Sequence, residues 1–375
     1  MPLRTRGIRT WLEINRGNAR NNYAFFRNLL RKQASLMAVV KSNAYGHGLV
    51  DFSKILEKLG VDWFGVDSVV EGLRLRSRGI QRPILILGYT LPENYTKAAR
   101  NNVSLTVSTF AGLRDAKRTG AKFHLKVDSG MHRQGFLLQE LPQVIKTIQK
   151  LKITKRQFEG LYTHLAAPAN EKCNRETKRQ IKEFRSAAAL VRGEGYQPIL
   201  HAAATGGILQ FPEAHFDMVR IGIGLYGLWP AAEFRARRRQ PRALKPALSW
   251  KSRISEIKSL PKGEAVGYDF TKRLGRQTKT AICPIGYWHG YPRLLSNHGE
   301  VLVGGRRAKV LGRVSMDMLV IDITDIQNVA VGSEIVLIGQ QGRERISAEE
   351  LGERAQTSAY EILARLNPLM QKVFV

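Results

Sequence analysis

Eight short apolar, β-rich runs alternate with helix-like segments through the first two thirds of the 375-residue chain. This alternation predicts an α/β fold, a (β/α)8 TIM barrel followed by a mostly β C-terminal domain. Two further observations agree with it. Polar residues recur at the C-terminal ends of the runs, the rim where parallel barrels carry their chemistry. After Tyr226-Gly227 the alternation stops and shorter β-like runs with turn residues take over.

Taken in order, Arg9–Ile14 reads as a strand outside the barrel. The barrel runs lie at 35–41, 62–67, 83–88, 104–109, 122–128, 157–164, 198–202 and 218–222, with helix-like segments such as Asp51–Leu59, Val69–Arg78 and Glu171–Arg192 between them. An open doubly wound sheet is the alternative, but no G-x-G-x-x-G turn follows an early strand. Residues 231–245, rich in Ala, Arg and Pro, read as a linker. The later β-like runs are Ser249–Ile257, Thr278–Ile285, Glu300–Val303, Ala308–Val314, Met318–Ile323 and Glu334–Ile338, with helices expected at Ser347–Ala355 and Ala359–Leu366. The expected division is an N-terminal strand within 1–15 that associates with the C-terminal domain, a barrel over 16–240, and a β-rich domain over 241–375.

Composition narrows the class. Hydrophobic residues at 43% and charged residues at 24% fit a soluble globular protein. No apolar run approaches the roughly 20 residues that span a bilayer, and the basic N-terminus lacks the apolar core of a secretory signal. Cys173 and Cys283 stand too far apart for a metal motif or a disulfide framework, so a reducing cytoplasm is expected. The net charge of +29 raises nucleic-acid binding as one reading. The basic residues are spread along the chain, and the densest cluster, Arg235, Arg237, Arg238, Arg239, Arg242 and Lys245, falls in the linker. A generally basic surface with no specific nucleic-acid partner is the expectation.

The run Leu36–Val40 ends at Lys41, followed by a polar turn with glycine. An ammonium at the end of a buried strand loses hydration, and burial lowers its pKa, which suits a lysine that forms a Schiff base or abstracts a proton. A lysine that snorkels to solvent is the plainer alternative. His164, His201 and Arg220 sit at the ends of later runs, with Lys126 inside the run at 122–128.

Residues 38–48, A-V-V-K-S-N-A-Y-G-H-G, resemble the cofactor-attachment motif of the bacterial alanine racemases. The resemblance covers nearly the whole chain. It continues in W-L-E-I-N (11–15), H-L-K-V-D-S-G-M-H-R-Q-G-F (124–136), G-L-Y-T-H-L-A (160–166), F-D-M-V-R-I-G-I-G-L-Y-G (216–227), P-I-G-Y (284–287), G-R-V-S-M-D (312–317) and S-A-Y-E-I-L (358–363). It implies a fold-type-III enzyme in which pyridoxal 5'-phosphate is the electron sink. It also implies a head-to-tail homodimer with shared active sites and an amino-acid substrate.

The family's roles carry over residue by residue. Lys41 matches the cofactor lysine and base on one substrate face. Tyr268, in V-G-Y-D-F, matches the base on the other face, supplied across the dimer, with His164 beside it in the proton network. A tyrosine packed in the β domain is the plain reading of Tyr268 alone. Arg220 matches the donor to the pyridine nitrogen. Because arginine keeps its proton, the ring becomes a weaker sink and side reactions are limited. Tyr45, Thr205, Gly222, Ile223 and Tyr360 match the phosphate site, and His201 lies among the cofactor residues. Lys126 matches a lysine often carbamylated by carbon dioxide, the carbamate orienting Arg133 toward cofactor and substrate. An unmodified lysine paired with Asp128 or another acid is the alternative. Tyr287 and Met316 match substrate-lining positions.

The chain departs from the pattern at Ala204, where asparagine is frequent, at Trp288-His289, where Ala-Asp is usual, and at Ser315, where cysteine is frequent. The implied reaction is interconversion of L- and D-alanine for peptidoglycan. A serine or broad-specificity racemase and a non-catalytic pyridoxal-phosphate carrier are the rivals.

Overall fold

The computed structural model describes residues 5–231, 234 and 244–375. The arginines from Arg235 to Arg242 and the expected boundary at 240/241 lie outside them. The chain forms two compact units, residues 1–17, 45–48 and 246–375 in one, and residues 18–44 and 49–245 in the other.

The strand Thr10–Ile14 (β1) comes first. The barrel unit then contributes Ser35–Val39 (β2), Trp63–Val66 (β3), Ile84–Ile86 (β4), Val103–Val107 (β5), Phe123–Asp128 (β6), the short Phe136–Leu137 (β7), Phe158–Tyr162 (β8), Ile199–His201 (β9) and Met218–Ile221 (β10). Its parallel sheet runs β10-β2-β3-β4-β5-β6-β8-β9, with β7 paired to β6. Between β9 and β10 the barrel closes through two backbone hydrogen bonds, Asp217 N to Leu200 O and Arg220 N to Ala203 O, each 3.0 Å. Each of the eight expected runs overlaps one of the eight barrel strands of this parallel sheet. The added β7 is too short to show an alternation.

Apolar side chains on both faces explain why the runs are nearly continuous. Met37, Trp63, Leu85 and Met218 pack as one buried cluster contributed by β2, β3, β4 and β10. Outer helices start on side-chain caps. Ser68 accepts from Glu71 N, and Thr109 from Gly112 N. After β10, Lys245 is tied back to Asn22 of the first helix, Arg16–Arg27, by a reciprocal pair of hydrogen bonds of 2.8 and 2.9 Å.

The second unit is built on Leu248–Arg253 (β11), Glu256–Leu260 (β12), Ala265–Val266 (β13), Lys272–Arg273 (β14), Thr278–Cys283 (β15), Glu300–Val303 (β16), Arg306–Leu311 (β17), Leu319–Asp322 (β18), Glu334–Gln341 (β19), Glu344–Ile346 (β20) and Gln371–Phe374 (β21). Its main sheet runs β12-β15-β18-β17-β16-β19-β11-β1-β21. β1 lies antiparallel to β11 and parallel to β21.

Two expectations need correction here. The single run expected over Ser249–Ile257 is two strands. Ile254 N donates to Ser333 O and Ser255 N to Ile282 O, so the chain changes neighbours at that point and the ladder breaks. Tyr45–Gly48, expected inside the barrel, cluster with the second unit. Gly46 shows why the approach is close, since a Cβ there would meet Leu363 O at 2.3 Å.

An ion network ties the β domain together. Arg307 of β17 donates to Glu300 (2.9 Å), Glu344 (2.9 Å) and Glu350 (2.5 Å), and Arg354 reaches Glu300 (2.8 Å) and Glu350 (3.1 Å). Burial pushes the Glu300 carboxyl up, but the two arginines outweigh it and hold it below the usual range. Arg307→Met leaves three carboxylates without their shared cation, and should cost about 1.5–3 kcal/mol at neutral pH. Because the carboxyl pKa is depressed on folding, this stability is present above the ordinary carboxylate range and is lost as pH falls from there through the lowered folded value. Urea melts at pH 7 and at acid pH check both; an equal cost at both would exclude the ionic origin.

Candidate active site

β2 ends at Val39, and Lys41 opens a turn in which Ser42, Asn43, Ala44 and Tyr45 all have positive φ, from 50° to 56°. Left-handed backbone costs roughly 1–2 kcal/mol per non-glycine residue, so the turn needs outside support. Asn43 Oδ1 accepts from Leu49 N (3.0 Å), Ala44 N donates to Val40 O (2.8 Å), and Glu71 accepts from Asn43 N (3.3 Å) and Asp67 N (2.8 Å). Strain held by surrounding bonds is common where a side chain must be presented. Lys41 is not buried as expected. Its side chain is 38% exposed and its Nζ lies 3.5 Å from Asp67 Oδ1, which answers its charge.

On the eighth barrel strand, Arg220 is 3% exposed. Its Nη1 donates to His201 Nδ1 (2.7 Å) and His201 O (3.1 Å). Its Nη2 donates to Thr163 O (2.7 Å), Ala202 O (2.9 Å) and His164 Nδ1 (3.2 Å). The Nε–H has no protein acceptor among the described residues. Burial lowers the guanidinium pKa to about 10, so it stays charged at neutral pH. His164 goes further. Burial, then Arg220, Arg133, Lys126 and Lys41, push it down to about 3, and it accepts as a neutral ring.

Lys126 of β6 is 5% exposed. Its Nζ donates to Gln134 Oε1 at 3.1 Å and lies 5.5 Å from the Tyr162 ring centre. Burial, with Arg133, Arg220 and Lys41, lowers its pKa to about 8. Asp128 is not its partner. That carboxylate accepts from the backbone N–H of Gly130, Met131 and His132 at 2.9–3.0 Å and from Arg133 N at 3.2 Å. It thereby shapes the loop that presents Arg133.

Two short helical turns follow the seventh and eighth barrel strands, Thr205–Gln210 after β9 and Ile223–Tyr226 after β10. Barrels commonly bind phosphate there, because N–H groups at the start of a helical turn have no intrahelical acceptor. Ala204 caps the first turn without a side-chain hydrogen bond.

The remaining expected residues belong to the second unit. Tyr45 and Tyr360 have ring centres 6.1 Å apart. Burial pushes the Tyr45 phenol up, Tyr360 adding to it, and burial alone carries Tyr360 to about 12. Tyr268 is 68% exposed, on a turn where Asp269 pairs with Arg313 at 2.9 Å, so it is no packing tyrosine. Tyr287 N donates to Ser315 O and Trp288 N to Met316 O, both 3.0 Å, which sets Tyr287 beside Met316. A Cβ on Gly286 would lie 2.1 Å from Ser315 O, so glycine is required at that crossing.

Sequence reasoning missed Asp67 and Glu71 under the lysine turn, and the pair of buried His124 with half-buried Glu159. A signal for His124 was present, since it alternates with Lys126 in F-H-L-K-V-D and so shares its face of the strand.

Fold and rim chemistry together describe a (β/α)8 barrel whose rim gathers lysine, arginine and neutral histidine, a set able to bind anions and move protons. Comparison with known proteins makes the class specific. Residues 14–230 match the family of alanine racemase N-terminal domains and 247–374 that of the C-terminal domains. An alanine racemase of Symbiobacterium thermophilum is 40% identical over 367 residues, 96% of this chain and 95% of that protein. One from Carboxydothermus hydrogenoformans is 38% identical, covering 97% and 99%. Among solved structures, alanine racemase from Bacillus anthracis with bound L-Ala-P superposes with a TM-score of 0.91 at 34% identity, over 98% of this chain and 95% of that one. That from Bartonella henselae with covalently bound pyridoxal phosphate gives 0.86 at 25% identity, over 98% and 99%. The chain belongs to the alanine racemase family and is an isomerase.

The lowered pKa of Lys126 has a measurable consequence. In cofactor-free protein, acylation of Lys126 by acetic anhydride, followed by peptide mass spectrometry, should reach half its maximal rate near pH 8, where its amine becomes neutral. A midpoint near that of an ordinary exposed lysine would exclude the desolvated setting.

Proposed function

We propose that this chain is a pyridoxal-phosphate-dependent alanine racemase of the cytoplasm, interconverting L- and D-alanine by a two-base mechanism and supplying D-alanine for peptidoglycan. The observation that carries the reading is the donor set on one barrel rim. Lys41 follows β2, the neighbour of β10, which carries Arg220 with its uncommitted Nε–H. The turns after β9 and β10 offer N–H groups of Thr205, Gly222 and Ile223. An amine, a ring-nitrogen donor and phosphate donors are what the cofactor needs, so the residues fit it. By the family resemblance His201 supports Arg220, and Tyr45 and Tyr360 complete the phosphate site.

When bound, the cofactor supplies the electron sink for negative charge at the substrate Cα. Lys41 Nζ exchanges the Cα proton on one face, and Tyr268 of the partner subunit exchanges it on the other through its phenol oxygen. His164 accepts from Arg220 at Nδ1, so the neutral ring carries its proton on Nε2 and can donate a hydrogen bond to that phenol oxygen. Arg220 donates without giving up its proton, which keeps the ring nitrogen unprotonated. Arg133, on the loop shaped by Asp128, receives the substrate carboxylate, and Tyr287 and Met316 line its path.

Lys126 is suited to carbamylation. Its neutral amine adds to the carbon of carbon dioxide, one C–O π bond opens, and the ammonium proton leaves to solvent. The resulting anion attracts Arg133 where the ammonium repelled it.

Within this reading residues 16–240 carry the cofactor and 241–375 the second base. Exposed Tyr268, Phe270, Trp288, Leu294, Met316 and Met318 in the second unit support a homodimer, since large exposed apolar side chains concentrate at interfaces. No helix among the described residues is long and apolar enough to cross a membrane. Turnover on alanine, serine and lysine separates the reading from a serine or broad-specificity racemase. Any turnover sets it apart from a carrier.

Borohydride reduction of the loaded enzyme and peptide mapping should place the adduct on Lys41; an adduct elsewhere overturns the assignment. Tyr268→Phe should lower Cα–deuterium exchange from L-alanine on the order of 10²- to 10⁴-fold, with exchange from D-alanine largely kept. Mixing Lys41→Ala with Tyr268→Phe subunits should restore activity. Equal losses for both enantiomers with no restoration would remove the two-base, shared-site mechanism.

A further inference from the structure

A line of four side chains runs through the barrel interior behind Arg220. Arg220 Nη1 meets His201 Nδ1 at 2.7 Å, His201 Nε2 meets His124 Nδ1 at 2.8 Å, and His124 Nε2 lies 3.6 Å from Glu159 Oε2. Both imidazoles are fully buried. The far end is anchored, because Glu159 accepts from Ser104 Oγ and lies 3.7 Å from Lys122 Nζ.

A guanidinium only donates. His201 Nδ1 must therefore accept, so its proton sits on Nε2. That proton is donated to His124 Nδ1, whose own proton then sits on Nε2, facing the carboxylate. One polarity makes each hydrogen bond from Arg220 to His201 and from His201 to His124 a donor–acceptor pair, and turns the last N–H toward the half-buried Glu159 carboxylate 3.6 Å away, with both rings neutral. Burial keeps the rings neutral, pushing His201 and His124 down in spite of Glu159 beside the latter. Burial raises the Glu159 carboxyl, but His124, Ser104 and Lys122 outweigh it and keep it ionised.

The neighbours are cut to fit this line. A Cβ on Gly160 would lie 2.1 Å from His124 Nδ1, so only glycine leaves room for the ring. Trp63 packs edge-on against His124 at 5.2 Å, and Tyr162 stacks on His201 at 4.7 Å with planes 4° apart.

We propose that Glu159 and His124 are positioning residues for Arg220. Acting through His201, they fix one tautomer at each ring, hold the guanidinium with its Nε–H free, and supply its distant counter-charge. The inference rests on the role of Arg220 as donor to the cofactor ring nitrogen.

The test has two arms. In cofactor-free protein, ¹⁵N-histidine NMR at neutral pH should show His124 and His201 as neutral Nε2–H tautomers. An Nδ1–H or doubly protonated ring at either position overturns the chain, whatever the variants do. In protein loaded with pyridoxal phosphate, Glu159→Leu and Gly160→Ala should raise transamination relative to racemisation about tenfold, the scale of one lost charge-assisted hydrogen bond, and shift the absorption of the bound cofactor. Glu159→Gln, which keeps an acceptor for His124, should recover most of the change. A partition unmoved in Glu159→Leu and Gly160→Ala but moved in Arg220→Glu overturns the positioning role. A partition unmoved in Arg220→Glu as well overturns the reading of Arg220 itself.

Discussion

The guanidinium of Arg220 sits where the barrel has to close. β9 and β10 share two backbone hydrogen bonds, and the carbonyls of Thr163, His201 and Ala202 turn inward at that seam. Buried carbonyls need donors, and one planar side chain on β10 supplies three of them at once. Lysine could not, because a point charge on a flexible stem lacks the fork. The contact that completes the fold also fixes the orientation of the group to which the proposed mechanism gives the ring nitrogen, so on that reading fold and site cannot be tuned apart.

The rim is unusually rich in cations. Lys41, Lys126, Arg133 and Arg220 act together on one another and on His164. Of the nearby acids among the described residues only Asp67 faces one of these cations, Lys41; Asp128 is committed to its own loop, and Glu159 to His124 and Lys122. Such a site gains most from anions, and phosphate, substrate carboxylate and a carbamate are all anionic. Burial, and after it the same field, keep His164 a neutral acceptor, which an ordinary exposed histidine would be only in part.

The sequence made the barrel legible because a parallel strand buried on both faces is nearly all apolar, so each run stands out and its polar end is conspicuous. Lys41, His164, His201 and Arg220 were found for that reason. The left-handed turn over Ser42–Tyr45 was not, since none of the four residues is glycine and its support comes from Glu71 and Leu49, distant in the pattern. Tyr45–Gly48 joined the second unit through a backbone approach to Leu363 that no local signal encodes. His124 was passed over among apolar neighbours, and Glu159 looked like an ordinary charge before a glycine. Their meaning lies in one another, across strands.

The place of β1 in the second sheet bears on how the chain is made. Trp11, Leu12 and Ile14 are fully buried between β11 and β21. During synthesis β1 leaves the ribosome before both of its neighbours: Lys251 of β11, which pairs with Trp11, is about 240 residues downstream, and Gln371 of β21 about 360. At roughly 5–20 residues per second this is a wait of tens of seconds. The barrel has all its strands in hand by Ile221 and can fold meanwhile. Until β11 emerges an apolar β1 has no partner strand, and its other edge waits longer for β21, a natural point of capture for chaperones and a risk of pairing with another nascent chain.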